Sequence, residues 1–267
     1  MTPRSTRAVV LPVRALSVAA ALLLTACAAT PGTSGSTGSG GSQSTGQQTV
    51  TVFAAASLTD VGPELAEAYK ASHPGVEVRF NLAGSQALVS QLIAGAVADV
   101  LMTADQESLK PLAGKDILAG DPTVVAVNHL VLAVDPSAGI HGLADLARHG
   151  VRTAICAPDV PCGRVSQQVL QKERITPSAT TEEENVRGAL TKLTSGQVQA
   201  ALVYRTDATT AGSKVRIIDL PEAGGNPYPV ALTKDGAARP AATAFETWLT
   251  GPEARAILHR AGFDAPS

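Results

Sequence analysis

The sequence predicts an α/β protein of two lobes, with a ligand cleft between the lobes and two crossover strands that join them. Two observations predict this fold. Three β-α units follow one another from residue 50, and a strand-rich stretch at mid-chain leads into further units of the same kind. Consecutive β-α units form parallel sheets with right-handed crossovers. The chain has 267 residues, 45% of them hydrophobic, which suffices for one large or two ordinary α/β cores.

The first β-α unit has a serine at the point where its strand must end. Residues 50–55 are a small, apolar run typical of a strand buried on both faces of a parallel sheet. Behind Ser57, apolar residues recur at the spacing of a helix face; they are Leu58, Val61, Leu65, Ala68 and Tyr69. We interpret Ser57 as the N-cap of this helix. Its hydroxyl and the free N–H groups of the first turn would favour an anion, although a helix cap without a ligand fits the same pattern.

A second β-α unit repeats this arrangement with Ser85. Residues 76–82 alternate as a strand does, residues 83–84 form a turn, and Ser85 precedes apolar residues at helical spacing. Two serine-capped helix starts would then lie on one carboxyl edge of the sheet, where open α/β sheets bind ligands. In the third unit, residues 98–103 form the strand and Asp105 opens a helix.

The rest of the chain predicts the second lobe and a return to the first. Residues 124–127 and 130–134 indicate the first crossing, and residues 227–232 cross back. The other elements are a short helix at 142–149, a strand at 151–157, helices at 163–175 and 183–195, strands at 200–204 and 214–220, and C-terminal helices at 241–249 and 252–261 that pack on the first lobe. Residues 182–184, all glutamates, are placed in the first turn of their helix, where carboxylates favour the helix dipole.

The N-terminus has the pattern of an exported lipoprotein. Three arginines precede the apolar run 15–24, which is typical of a secretory signal. Residues 24–27, Leu-Thr-Ala-Cys, resemble the lipobox of bacterial lipoproteins, which implies cleavage before Cys27 and a diacylglyceryl group on its sulfur. The alternative is ordinary secretion with a free cysteine. A flexible spacer rich in Gly, Ser, Thr and Gln follows, so we expect the protein on the extracytoplasmic side of the cell membrane, held by its lipid anchor.

These segments give the expected domain boundaries. Residues 1–26 are the signal peptide and residues 27–48 the lipid-anchored linker. Residues 49–128 together with 228–267 form the first lobe, and residues 129–227 form the second.

The charge balance argues against a nucleic-acid-binding function. The formal net charge is −2, no basic block is present, and aromatic residues make up only 3% of the chain, so phosphate tracking and base stacking lack their usual side chains. Loss of the signal peptide removes three arginines and leaves 18 basic and 23 acidic residues, a net charge of about −5. An anionic ligand would therefore depend on local donors and not on the field of the whole protein.

Cys156 and Cys162 remain once Cys27 is assigned to the lipid. Five residues separate them. In an oxidising compartment a disulfide is expected, with a free pair or a soft-metal site as the alternatives. So short a loop should contribute less than the roughly 3 kcal/mol expected of a 15-residue loop. Its main effect would be to fix the shape of the loop.

An ordered set of short motifs resembles the molybdate-binding proteins of ABC importers. The motifs are Val52-Phe53-Ala54-Ala55-Ala56-Ser57-Leu58, Ala83-Gly84-Ser85 with Leu88, Gly95-x-x-Ala98-Asp99-Val100 with Ala104-Asp105, Val160-Pro161-Cys162-Gly163, Asn185-Val186-Arg187-Gly188-Ala189-Leu190, Leu202-Val203-Tyr204 with Asp207-Ala208, and the final Gly262-Phe263. Each motif is weak alone, but the ordered set covers about residues 49–265. The resemblance implies a type II periplasmic-binding-protein fold whose cleft holds a dehydrated tetrahedral oxyanion and performs no chemistry on it.

The resemblance also implies five ligand-binding residues. Ser57 and Ser85 would donate through hydroxyl and backbone N–H from the first lobe. From the second lobe, Cys162 and Val186 would donate backbone N–H groups and Tyr204 its phenol. Without the resemblance, Val186 also fits a buried helix residue, and Tyr204 a strand-end aromatic that covers the core. Many family members have a small residue in place of Cys162, but the backbone N–H that the contact needs is the same.

The implied ligand is molybdate or tungstate, with no cofactor and no metal held by side chains. Molybdate at neutral pH is a fully deprotonated dianion that offers only acceptors, so neutral donors match it and a carboxylate would not. Hydrogen phosphate, whose proton needs an acceptor, would be rejected. Sulfate could be excluded only by size, and tungstate should bind as molybdate does. The implied partners are a membrane permease and its ATPase, and we expect a monomer whose lobes close by hinge motion.

Two alternatives stay open on the sequence alone. The first is the same fold binding sulfate or another oxyanion. The second is an exported hydrolase that uses Ser57 or Ser85. Residues 83–87, Ala-Gly-Ser-Gln-Ala, do not form a G-x-S-x-G elbow. No motif presents a histidine to either serine; the histidines are His73, His129, His141, His149 and His259. A metal centre is not expected, because no cluster has ligand spacing.

Overall fold

The computed structural model of this chain describes residues 47–266. The signal peptide, Cys27 and nearly all of the linker expected at residues 27–48 lie outside the described residues. Within residues 47–266, no helix is long and apolar enough to cross a membrane. In the same range, no group of three or more histidine, cysteine, aspartate or glutamate side chains could hold a metal ion.

One sheet carries the strands of both predicted lobes. Its strands are β1 (Gln48–Ala55), β2 (Val76–Ala83), β3 (Val100–Met102), β4 (Thr123–Val134), β5 (Arg152–Cys156), β6 (Ala179–Glu183), β7 (Ala200–Tyr204), β8 (Arg216–Asp219) and β9 (Gly225–Leu232). The order is β2-β1-β3-β9-β4-β7-β5-β6, with β8 paired to β4. Parallel pairs join β1 to β2 and β3, and β5 to β6 and β7. Each parallel set thus has its first strand in the middle, the switch-point order that opens a ligand crevice at the carboxyl ends.

Helices follow the strands in the β-α order that the sequence predicts. They are α1 (Val61–Ser72), α2 (Ser85–Ile93), α3 (Pro161–Lys172), α4 (Val186–Thr194), α5 (Arg205–Thr210), α6 (Lys234–Ala237), α7 (Pro240–Leu249) and α8 (Pro252–Arg260). The last two pack on the first set of strands and on α1, as predicted. Tyr69 of α1 meets Phe245 and Trp248 of α7 there, with ring centroids 4.9 and 5.3 Å away. We call β1–β3 with α1, α2 and α6–α8 the first lobe, and β5–β7 with α3–α5 the second.

Two antiparallel strands cross between the lobes, which confirms the predicted fold class. Residues 123–129 of β4 pair with β9, whereas residues 130–134 pair with β7 and β8. Strand β9 leaves β4 and ends against β3. Asn128 of β4 faces Asn226 of β9 in this register. Because both strands are continuous from one lobe to the other, the boundaries expected at residues 128/129 and 227/228 stay predictions.

The prediction that Ser57 caps α1 is wrong. The chain forms a 3₁₀ turn over Ala56–Leu58 and starts α1 only at Val61. Pro63 explains the delay, because it lacks an N–H and is tolerated in the first turn of a helix but not in the interior. A helix from Ser57 would have placed this proline in its second turn. Ser57 nevertheless lies at the carboxyl end of β1 and is buried, with only 5% of its surface exposed.

The prediction that residues 182–184 form the first turn of a helix is also wrong. Residues 179–183 form β6, which pairs in parallel with β5. Helix α4 begins at Val186 and is capped by Asn185, whose Oδ1 accepts the N–H of Gly188 at 3.1 Å. An amide cap and a parallel partner strand therefore outweigh the attraction of carboxylates to the helix dipole. The helices predicted at residues 142–149 and after Asp105 are shorter 3₁₀ segments, Leu143–Ala147 and Glu107–Leu112.

Candidate ligand-binding site

All five residues predicted to bind the ligand line one small cavity between the lobes. Its wall consists of Ala55, Ala56, Ser57, Gly84, Ser85, Ala104, Val160, Pro161, Cys162, Asn185, Val186 and Tyr204. Among the described residues, no charged side chain contributes to this wall. The cavity volume is about 10 Å³, room for the order of one water molecule. A larger depression of about 450 Å³ lies on the surface between residues 106 and 122, but it gathers none of the predicted site residues.

Three helices start at this cavity and direct backbone N–H groups towards it. Ser85 and Val186 are the first residues of α2 and α4, and Cys162 is the second residue of α3. Residues of a first helical turn have no acceptor within their own helix, and the helix dipole adds a partial positive charge there. Pro161 occupies the first position of α3, where its missing N–H costs nothing. The site therefore offers positive potential without a cation.

Hydroxyl groups of Ser57, Ser85 and Tyr204 supply further polar surface in the cavity. The Ser57 Oγ lies 2.7 Å from the Tyr228 hydroxyl. The Ser85 Oγ accepts the N–H of Ala104 at 3.0 Å, and the Tyr204 hydroxyl accepts from the Asn226 side-chain amide at 2.7 Å. The predicted N-cap role of Ser85 is wrong, because Gly84 holds that position and the serine hydroxyl turns to Ala104 instead. The partners of both serines are a phenol and an amide, so neither hydroxyl has the histidine base that a hydrolase requires.

Burial keeps the phenols of the site protonated. Tyr204 and Tyr228 are 1% and 0% exposed. Loss of hydration raises the pKa of both tyrosines well above the ordinary value, and the negative charge of a neighbouring phenol and of Asp105 and Asp207 adds to the effect for Tyr204. Both side chains therefore remain neutral hydrogen-bond donors throughout the physiological pH range.

Two arginines of the second lobe reach carboxylates of the first lobe beside the cavity. Arg187, which follows Val186, places its Nη1 2.6 Å from the Asp60 carboxylate. Arg164 places its Nη2 2.6 Å from the carboxylate of Asp105, which follows Ala104. These pairs connect the lobes and neutralise the cationic charge nearest to the site. Binding of an anion at this site would therefore depend on its neutral donors.

Gly84 allows the backbones of the two lobes to approach closely at the cavity. A Cβ atom built on Gly84 would lie 2.6 Å from the carbonyl oxygen of Glu184, closer than real Cβ contacts come. The neighbouring Gln86 side chain donates to the same carbonyl at 2.9 Å. A glycine at the turn before Ser85 thus allows the second lobe to cover the site.

A disulfide joins Cys156 to Cys162, as expected for an oxidising compartment, with an S–S distance of 2.04 Å. It ties the end of β5 to the first turn of α3, and Cys162 is 1% exposed. The alternatives of a free pair or a soft-metal site do not apply to this arrangement. The bond fixes the loop that leads to the Cys162 N–H.

Removing the disulfide with the double variant Cys156→Ser, Cys162→Ser should lower the free energy of unfolding by about 2 kcal/mol, the entropy of a closed loop this short. Oxyanion affinity should change less than about threefold, because Pro161 and the helix itself hold the backbone N–H of residue 162. Denaturant unfolding and titration of the same samples measure the two effects. A loss of affinity beyond about tenfold in a folded variant would show that the disulfide, and not the helix, places this donor.

Sequence reasoning missed the residues behind the hydroxyls. Tyr228 and Asn226 on β9, and Asn128 on β4, are buried and hydrogen-bonded to the site or to each other. The one local signal was Pro227-Tyr228-Pro229, a tyrosine between two prolines in the predicted crossing. Its meaning depends on contacts across the sheet, which no local pattern contains.

Residues 50–264 match the family described as bacterial extracellular solute-binding protein. The chain belongs to this family, whose members bind solutes and are not enzymes. Within it, the chain is 37% identical over 225 residues to the molybdate-binding protein ModA of Mycobacterium tuberculosis, covering 83% of this chain and 86% of that protein. This relationship confirms the resemblance that the sequence motifs indicated.

Two further similarities agree with this assignment. The chain is 30% identical over 227 residues to the putative ABC transporter substrate-binding lipoprotein YvgL of Bacillus subtilis, covering 81% of this chain and 86% of the relative. The solved periplasmic molybdate-binding protein of Azotobacter vinelandii superposes with a TM-score of 0.72 at 25% identity, over 82% of this chain and all of that one. The predicted two-lobed binding-protein fold is thereby confirmed.

Proposed function

We propose that this protein captures molybdate, and tungstate equally well, between its lobes and delivers it to an ABC import permease with its ATPase. The observation that carries the proposal is the cavity itself, which is buried, free of charged side chains in its wall and surrounded by hydroxyl and helix-start N–H donors. A fully deprotonated dianion needs donors alone, and such a wall supplies them. The ModA relatives support molybdate as the particular anion.

Entry of the anion requires the walls to separate. A cavity of about 10 Å³ is smaller than a tetrahedral anion with four oxygens. The crossing strands β4 and β9 are the place where the lobes can bend apart, and the arginine–carboxylate pairs are the contacts that reform on closure. Selection of molybdate over sulfate then depends on the size of the closed cavity, because the two anions have the same charge and the same acceptors.

Isothermal titration of the purified protein with molybdate, tungstate, sulfate and phosphate tests this proposal. We expect tight one-to-one binding of molybdate and tungstate, weak binding of sulfate and still weaker binding of phosphate. A preference for sulfate would keep the fold and overturn the ligand. Failure of all four anions to bind would overturn the function.

We further propose that the protein acts as a monomer held at the outer face of the cell membrane by a diacylglyceryl group on Cys27. The lipobox-like residues 24–27 and the lipoprotein relative YvgL support this location. The full chain produced in a bacterium should fractionate with membranes and incorporate labelled fatty acid, whereas Cys27→Ser should lose both properties. A full chain that is released without label would contradict the anchor.

A further inference from the structure

The hydrogen bonds behind the cavity settle which way its hydroxyl protons point. The N–H of Ala104 can only donate, so the Ser85 oxygen accepts from it at 3.0 Å and the serine proton is free to point elsewhere. Ser85 is 1% exposed and lines the cavity. The cavity is therefore the direction left for this proton.

The same holds for Tyr204 because the orientation of the Asn226 amide is determined. The Asn226 Nδ2 faces the carbonyl oxygen of Ala104, which can only accept, so the NH₂ group must lie on that side. This NH₂ group also lies 2.7 Å from the Tyr204 hydroxyl. The Tyr204 oxygen is thus an acceptor towards Asn226, and its own proton is available to the cavity.

For Ser57, the direction of the hydroxyl proton depends on the hydrogen bonds of Tyr228. The backbone N–H of His129 donates to the Asn128 Oδ1 at 2.9 Å, which turns the Asn128 Nδ2 towards the Tyr228 hydroxyl at 3.3 Å. Tyr228 accepts this bond and keeps its own proton for the Ser57 Oγ, 2.7 Å away. The Ser57 oxygen is then an acceptor on its inner side and a donor towards the cavity. Hydrogen bonds in such a chain polarise one another.

From this network, which rests on the proposed function, we infer that Asn128, Asn226 and Tyr228 are specificity-determining residues: they direct the hydroxyl protons of Ser57 and Tyr204 into the cavity, and the site thereby rejects oxyanions that carry a proton. None of the three is among the residues that line the cavity. They act through the hydroxyls of Ser57 and Tyr204, which do line the cavity. Asn128 and Asn226 face each other on the crossing strands β4 and β9. The strands that join the lobes therefore also carry the side chains that orient the hydroxyl protons of the site.

Disruption of this network should change the selectivity of the site and not merely lower its affinity. In Tyr228→Phe, the Ser57 hydroxyl loses the contact that fixes its orientation, so it can rotate and accept a hydrogen bond from a protonated ligand. At pH 8 inorganic phosphate carries one proton, whereas molybdate and sulfate carry none. Phosphate should therefore gain an acceptor that the other two anions cannot use.

Titration of the purified wild-type and Tyr228→Phe proteins with molybdate, sulfate and inorganic phosphate at pH 8 tests this. We expect molybdate and sulfate to weaken together by about five- to tenfold, because their Ser57 contact is less well oriented. The molybdate-to-phosphate affinity ratio should shrink by about tenfold more than the molybdate-to-sulfate ratio. The matched control is Tyr69→Phe, which removes another fully buried tyrosine hydroxyl, one without a hydrogen-bond partner among the described residues, and should leave all three affinities unchanged.

A second variant reaches the same oxygen by another route and covers the case in which Tyr228→Phe does not fold. Asn128→Asp replaces the donating NH₂ group by an acceptor, so the Tyr228 proton should turn away from Ser57 and phosphate discrimination should fall again. The added charge weakens the binding of sulfate and of hydrogen phosphate alike, so the ratio of their two affinities still reports on the discrimination against the protonated anion. Equal weakening of all anions in the folded variants would overturn the inference and leave molybdate binding standing. Wild-type protein that binds none of the anions would overturn both.

Discussion

Tyr204→Phe is expected to weaken molybdate binding by about 10- to 100-fold, the value of one hydrogen bond to a charged group. The substitution removes only the phenol oxygen. Asn226 keeps the Ala104 carbonyl as a partner, and the ring keeps its place beside Tyr228, with centroids 6.0 Å apart. The loss should therefore lie in binding and not in folding.

Titration with molybdate and a thermal denaturation curve of the same sample separate the two effects. The denaturation midpoint should stay within a few degrees of the wild type. Val203→Ile, which alters the neighbouring residue of β7 without touching a polar atom, serves as a control for disturbance of the strand end. Unchanged molybdate affinity in a folded Tyr204→Phe protein would remove this phenol from the donor set.

Asp207→Asn is expected to stabilise the protein at pH 8 by up to about 4 kcal/mol. The Asp207 side chain is fully buried, its Oδ2 has no hydrogen-bond partner among the described residues, and its Oδ1 lies 3.3 Å from the Arg187 Nη1. Loss of hydration raises the pKa of this carboxyl from 3.8 to about 7, although the nearby Arg187 charge opposes the rise. The interval from 3.8 to about 7 corresponds to about 4 kcal/mol of penalty on the charged form.

The sign of the pH dependence follows from this raised pKa. Between about pH 4 and pH 7 the folded state holds a proton that the unfolded state has released, so the stability from this group is full below pH 4 and declines as the pH rises to 7. Asparagine carries no charge in either state, so the variant should lack this decline.

Denaturant unfolding of both proteins from pH 4 to pH 8 measures the difference. The gain of the variant should be small at pH 4 and largest at pH 8. Arg187 still has Asp60 as a partner at 2.6 Å, so the substitution does not leave the cation unpaired. Parallel stability curves for the two proteins, or a variant less stable at pH 8, would contradict the burial penalty.

Local pattern sufficed for every strand except β6, and the order of the motifs sufficed for the position of the site along the chain. The strand predicted at residues 200–204 matches β7, because five consecutive apolar residues are typical of a strand that is buried on both faces. The five site residues were placed by the order of motifs, and the structure brings them to one cavity. Their contact with a ligand stays a prediction.

The errors occurred where a local pattern competed with a covalent or long-range constraint. At Ser57 the apolar spacing extended the helix backwards, whereas Pro63 fixed its start at Val61. At residues 182–184 the carboxylates fitted a helix start, whereas pairing with β5 made a strand. In each case one covalent or long-range constraint outweighed a pattern summed over several side chains.

The residues that orient the hydroxyls could not be predicted, since the contacts involved span the chain. The Ser57 and Tyr228 hydroxyls meet across 171 residues, and the Asn226 amide reaches the Ala104 carbonyl across 122. Neither contact leaves a periodic trace in the sequence. Only the sheet order, with β9 between β3 and β4, brings these residues to the cavity.

A crystal structure of the protein with molybdate would show whether the cavity between the lobes holds the anion, because the anomalous signal of molybdenum locates it independently of the protein density. We predict a single molybdenum position in the cavity between the lobes, with its oxygens about 2.7–3.1 Å from the hydroxyls of Ser57, Ser85 and Tyr204 and from the backbone nitrogens of Cys162 and Val186. Molybdenum bound elsewhere, or an anion in the cavity that none of these donors contacts, would show that these residues do not form the binding site.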